Sequence, residues 1–302
     1  MTVTYRELWT VAKPWLDTHC ILGEGPFYEE ETHSLRFVDV KKRQLHTVSL
    51  VDGSPLRPLI QLDTVLTVTS DIEGIDPYHK ILIGVKYGIA ILDRQSGSYE
   101  MVAYFRQPSN ERLRSNDGAA DPNGRFWLGS MTDFEQGEFL YEGSLWCFSA
   151  SNAEEIERGI NAPNSIGWSP DNKTLYWTHS RKRQVLARDY DPATGVTSNQ
   201  RIFYNHQGNG EPDGFRIDVE GNIWQAIYGE SRVLKICPNG SVVGEIRLPT
   251  RYITCVEFVG TELLITSAAD EDGSDERSIR YGGSIFRVDV GIAGVPLFKY
   301  KM

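Results

Sequence analysis

Residues 212–227, PDGFRIDVEGNIWQAI, place an acid beside a glycine, pass through a short apolar run, turn at Asp218–Asn222 and resume as an aromatic strand. Two runs rich in β-branched and aromatic residues on either side of a polar, glycine-containing turn read as a hairpin. The same layout occurs five more times: GEGPFYEEETHSLRFVDV from Gly23, SDIEGIDPYHKILIGV from Ser70, SNDGAADPNGRFWLGS from Ser115, PNSIGWSPDNKTLYWTHS from Pro163 and TCVEFVGTELLITSA from Thr254. Aligning Glu24, Asp71, Asp117, Asn164, Asp213 and Cys255 gives steps of 42 to 49 residues, the period of a four-stranded propeller blade. Each unit is followed by a second hairpin, such as RVLKICPNGSVVGEIRL from Arg232 or GSIFRVDVGIAGVPLFKY from Gly283.

Two hairpins repeated six times predict an all-β fold, a six-bladed β-propeller with four-stranded antiparallel blades, occupying residues 1–302 as one domain. No segment of useful length carries a 3.6-residue period, and NAEEIERG (152–159) offers at most one helical turn, which argues against a barrel of alternating strands and helices. The 302 residues carry a net charge of -10, which speaks against a nucleic-acid partner. No apolar run approaches the length of a membrane span, so no membrane partner is expected. Cys20, Cys147, Cys237 and Cys255 lie far apart without a C-x-x-C pair. They read as buried reduced thiols in a cytoplasmic protein.

A propeller blade starts its innermost strand on one face of the channel, and the second strand returns to that face. Glu24, Asn116, Asn164 and Asp213 fall at first-strand starts, while Met131, His179 and Tyr228 fall at second-strand ends. All should rim one mouth of the channel. Asp76, Asp121, Asp171 and Asp218 fall at the opposite turns, where Asp bonds its own backbone. Glu24, Asn164 and Asp213 share one phase in different blades. Two converging carboxylates repel one another and resist desolvation, a cost that a divalent cation removes. Oxygen ligands suit Ca²⁺, Mg²⁺ or Mn²⁺, and Zn²⁺ or Fe²⁺ are compatible. From the repeat alone, the same three residues are equally ordinary strand-start polars.

LGEGPFY, RSNDGAADPNGRFWLGSM, PNSIGWSPDNKTLYWTHS and EPDGFRIDVEGNIWQAIY together resemble the senescence marker protein, gluconolactonase and luciferin-regenerating enzyme family, which includes regucalcin. The likeness runs from about residue 18 to 290, in family order. It implies one divalent metal ion in the channel and hydrolysis of a small-molecule sugar lactone. Carried over by position, Glu24, Asn164 and Asp213 would hold the metal. Asp213 would also act as the catalytic base, and Arg114 and Asn116 would bind substrate. A metal-polarised carbonyl, a water deprotonated by Asp213 and an oriented ring make a lactone hydrolase. There is no G-x-S-x-G elbow and no phosphate-cradling glycine loop, so a serine hydrolase and a nucleotide enzyme are not expected.

The chain departs from the family pattern in three places. Ser165 follows Asn164 where Gly is common. His179 replaces an Asp at the end of the next strand, as an extra ligand, a hydroxyl-binding group, a proton carrier or simple pocket wall. After Met131, Asp133 and Glu135 are offered where some members place an acid against substrate; Met131 and Tyr228 read as pocket wall. The acidic segment around Asp270 lacks a calcium-loop pattern and reads as a mobile connection. Two alternatives stand beside the lactonase: a calcium-binding regulatory propeller without turnover, and a metal-dependent aryl esterase or phosphotriesterase.

Overall fold

The computed structural model describes residues 7–105, 111–150, 152–271, 273 and 275–302. Six sheets, spanning residues 23–61, 66–104, 113–160, 163–205, 211–247 and 253–289, succeed one another along the chain as antiparallel meanders. Their first strands touch in order, and the sixth touches the first, closing the ring of a six-bladed propeller. Each blade is covered by a neighbour on both sides. This is why strands such as Lys80–Val85 are apolar runs with little alternation. The core is accordingly six apolar clusters, one in each gap between blades.

Both termini contribute to closure. Glu7–Thr10 joins the outer edge of the fifth blade as a parallel fifth strand. Trp15 and Leu16 then bond to Ile285, filling the fourth position of the sixth blade, which has three strands of its own. The expected second hairpin of that blade stops at Asp289. The following tail instead crosses the far face of the ring, bonding Val295 to Ile217, Tyr300 to Asp71 and Lys301 to Gly124. Val295–Phe298 form the floor of a small cavity, about 50 Å³, in the lower channel beneath Phe27, Ile166 and Phe215.

Three readings change. Asn152–Ile160 is the outer strand of the third blade and not a helical turn. Its ladder to Gly143–Ser149, with Glu155 accepting from Ser144 and Glu157 from Arg188, outweighs the weak helix preference of a Glu-rich run. Asp71 lies past the end of Leu66–Ser70 on the far face, where Arg36 binds it at 2.8 Å; the second-blade residue in phase with Glu24 is Thr67. The acidic stretch near Asp270 leads into a short helix, Glu276–Tyr281, capped by Asp275. The far-face turns follow expectation. Asp121 and Asp218 each accept two backbone amides and the indole N–H of Trp127 and Trp224, respectively. Among the described residues no helix is long and apolar enough to cross a membrane.

Candidate active site

Every innermost strand breaks register once. The breaks lie between Glu24 and Phe27, Leu66 and Val68, Ser115 and Gly118, Asn164 and Ile166, Pro212 and Phe215, and Ile253 and Val256. A β-bulge inserts an unpaired residue and re-aims the neighbouring side chain. Six bulges at one level thus form a ring of re-aimed residues at one end of the channel, and Glu24, Asn164 and Asp213 belong to it. Two glycines permit the geometry. Gly25 takes φ +52, and a Cβ on Gly214 would lie 2.4 Å from Cys255 Sγ.

The mouth is electrostatically strained. Burial, and next the Asp117 carboxylate, push Glu24 up to about 8; the Gly25 amide, 3.1 Å from Oε2, and the more distant Arg114 and Arg216 pull the other way. Asp213 is raised well above the carboxylate range by burial, then by Glu24, Asp117 and Glu211, against a hydrogen bond from Asn164. Among the described residues neither Glu24 nor Asp213 has an ion-pair partner. No three His, Cys, Asp or Glu side chains among them stand as a ready-made metal site. An ion here would therefore use two carboxylates and the Asn164 amide. Asn164 Nδ2 bonds Ser180 Oγ at 3.1 Å, which leaves Oδ1 as its donor to a cation. Two acids that resist ionisation until a cation compensates them, beside an amide oxygen, fit a hard divalent cation.

Asp117 is a third acid at this level, in phase with Glu24 and Asp213, to which the motifs give no role. The Phe215 amide donates to Ser165 Oγ, and Ser165 donates to Asp117 Oδ2, each at 2.7 Å, which links the fifth, fourth and third blades. Ser165 is thus a connector and not merely a bulkier glycine. Arg114 is buried, with Nη1 donating to Ser115 O at 2.7 Å and Asn116 Oδ1 at 2.8 Å, and its guanidinium lies 4.0 Å from the centre of the Phe134 ring. Burial lowers it to about 10, and the Asp133, Glu24 and Asp213 carboxylates resist. Asn116 also donates to Pro163 O at 2.9 Å, so both ends of its amide are engaged within the protein. Met131 is buried opposite Arg114. Asp133 caps the turn Phe134–Gln136 and pairs with Lys86 at 2.9 Å, which ties it to the loop.

Tyr228 stacks on Tyr252 with ring centres 4.5 Å apart. Burial, followed by the Asp213 carboxylate, raises its hydroxyl above the usual range. Glu211 forms an ion pair with Arg181 of the fourth blade. His179 ends Thr174–His179 under the ring of Tyr141, fully buried.

Relatives share the whole architecture. Pentonolactonase XacC of Haloferax volcanii is 29% identical over 94% of this chain and 96% of its own. Regucalcin of Oryctolagus cuniculus is 30% identical over 94% and 96%. The crystal structure of a calcium-binding protein, regucalcin from Agrobacterium tumefaciens, aligns with a TM-score of 0.89 at 25% identity, covering 98% of this chain and 99% of that one. Since the SMP-30/Gluconolactonase/LRE-like region matches residues 22–269, the chain belongs to that family.

Proposed function

We propose that the protein is a divalent-metal-dependent hydrolase that opens a sugar-derived lactone to its aldonic acid. The observation that carries this reading is the pair of partly buried Glu24 and buried Asp213, without a cationic partner beside Asn164 and within reach of the field of Arg114. A pentonolactonase and a calcium-binding protein among the relatives support it. Glu24, Asn164 and Asp213 would hold the ion, which when bound would polarise the lactone carbonyl as a Lewis acid.

The reaction breaks the acyl carbon to ring-oxygen bond. The water hydroxyl joins the acyl carbon and a proton reaches the ring oxygen. Asp213 is the general base: negative neighbours raise its basicity, and it takes the proton from water. Arg114, braced by Asn116 and by the Phe134 ring, orients the substrate with a fixed guanidinium plane. Tyr228 and Tyr252 wall the site. All four cysteines are free. This suits the cytoplasm, where we place the protein.

The test is a pH-indicator assay over γ- and δ-aldonolactones with chelated, metal-restored and Asp213→Ala protein. Hydrolysis lost on chelation and regained with a divalent ion supports the reading; hydrolysis indifferent to chelation and to Asp213→Ala overturns it. An aryl-ester arm separates a preference for other esters. A second reading, calcium binding without turnover, draws on the unpaired carboxylates alone and predicts calcium affinity with every ester inert.

A further inference from the structure

The imidazole of His179 is 1% exposed, and neither Nδ1 nor Nε2 has a hydrogen-bond partner. A buried polar group without a partner is destabilising, and here two lie on one ring. Burial, reinforced by Lys182, lowers this histidine to about 4, opposed only by its own backbone, and no carboxylate contributes. At neutral pH it is therefore uncharged, with one N–H to donate and one nitrogen to accept. That complement matches a hydroxyl group, which can use both capacities at once, whereas a carboxylate would use only the N–H and a cation only the free nitrogen.

Its place in the fold is at the mouth. His179 is paired across the ladder with Pro163, whose carbonyl accepts from Asn116, and the next residue, Ser180, holds the Asn164 amide. Above it runs the loop 133–142 of the third blade. This loop sets Phe134 over Arg114, Phe139 near Arg181 and Tyr141 6.0 Å from the His179 ring. A second polar side chain under that loop, Asn161, donates to Phe139 O, while its buried Oδ1 has no partner. Two side chains with unused hydrogen-bonding capacity thus lie under one aromatic roof, beside the groups assigned to the metal and the substrate.

We propose that His179 is a specificity-determining residue whose imidazole hydrogen-bonds a ring hydroxyl of the substrate beneath the Tyr141 loop, so that the site selects polyhydroxylated lactones over alkyl lactones. The proposal rests on the lactonase reading for its substrate class. It deepens that reading by assigning the discrimination to one side chain.

The test compares kcat/KM for D-xylono-1,4-lactone and for γ-valerolactone, which lacks ring hydroxyls, in the wild-type protein, His179→Phe and His179→Gln. Phe keeps a planar ring and loses both nitrogens, whereas Gln restores a donor and an acceptor. The xylonolactone to valerolactone ratio is expected to fall at least about tenfold in His179→Phe and to recover in part in His179→Gln. Equal losses on both lactones, or an unchanged ratio, overturn the proposal and leave a buried water as the partner of the ring. If the wild-type protein hydrolyses neither lactone, the lactonase reading fails separately. Calorimetric binding of xylitol, which needs no turnover, then decides: a loss in His179→Phe regained in His179→Gln supports the contact, and xylitol binding that is absent or equal in all three proteins overturns it.

Discussion

Ser165 donates its hydroxyl proton to the Asp117 carboxylate across 2.7 Å while accepting from the Phe215 amide at the same distance. Ser165→Ala leaves a buried N–H and a buried carboxylate oxygen without their partner, at a cost of about 1–3 kcal/mol. Urea denaturation with the m-value held constant measures it. Loss of stability below about 0.5 kcal/mol shows that water replaces the hydroxyl.

The bulges explain how far the sequence could be read. The 42- to 49-residue period and the hairpin turns announced six blades, because turn chemistry and strand apolarity are local. Glu24, Asn164 and Asp213 were legible as one phase, since each stands at a register break. Asp71 was misaligned because the second blade places Thr67 at its break, and a threonine in an apolar run gives no charge signal. Asp117 was visible in phase, but its partners Ser165 and Arg216 come from other blades. In sequence the tail across the far face resembles strands, because Phe298 and Tyr300 have strand-like side chains. What fixes them, Tyr300 bonding Ala150 and Asp71, lies 150 and more residues away in sequence.

The raised acids set a pH dependence for the metal-free protein. Glu24 has a folded value of about 8 against an ordinary value near 4.5, and Asp213 shifts the same way. As pH rises from the ordinary value the folded chain holds more protons than the unfolded chain, so stability falls, and the Glu24 part of the penalty is complete above about 8. Melting in chelator should therefore drop from pH 5 to pH 8. A divalent ion should restore more stability at pH 8 than at pH 5, because it displaces protons at the lower pH. Equal metal stabilisation at both values would remove Glu24 and Asp213 as the ligands.

The C-terminal tail should act as a clasp. Tyr300 is fully buried in the cluster between the second and third blades, and its hydroxyl donates to Ala150 O at 2.9 Å. Tyr300→Phe loses that bond, at about 1 kcal/mol, and Tyr300→Ala leaves a cavity costing about 3–5 kcal/mol. Thermal melting ranks the two variants. A Tyr300→Ala variant as stable as Tyr300→Phe would mean that the tail contributes through its backbone bonds alone.

Asp213→Asn separates function from stability at a single atom. The amide keeps the shape of the side chain and removes an acid that the metal-free fold holds only by protonating it or by opposing the Glu24 and Asp117 charges, so the metal-free protein should gain stability of order 1 kcal/mol at about pH 8, roughly 2–4 °C in Tm. The same change removes the proposed base and a charged ligand, so lactone kcat/KM should fall by about 10²-fold or more and the divalent ion should lose most of its effect on Tm. Arg114→Lys gives the contrasting signature. It loses the planar fork on Ser115 and Asn116 and the stack on Phe134, so it should weaken turnover about 10-fold while the metal shift in Tm persists. Opposite effects on stability and turnover at Asp213, with the metal response retained at Arg114, would mark the first as ligand and base and the second as an orienting group. A fall in both stability and turnover for Asp213→Asn in chelator would mean that its carboxylate is held by a compensating partner, contrary to the strain described at the mouth.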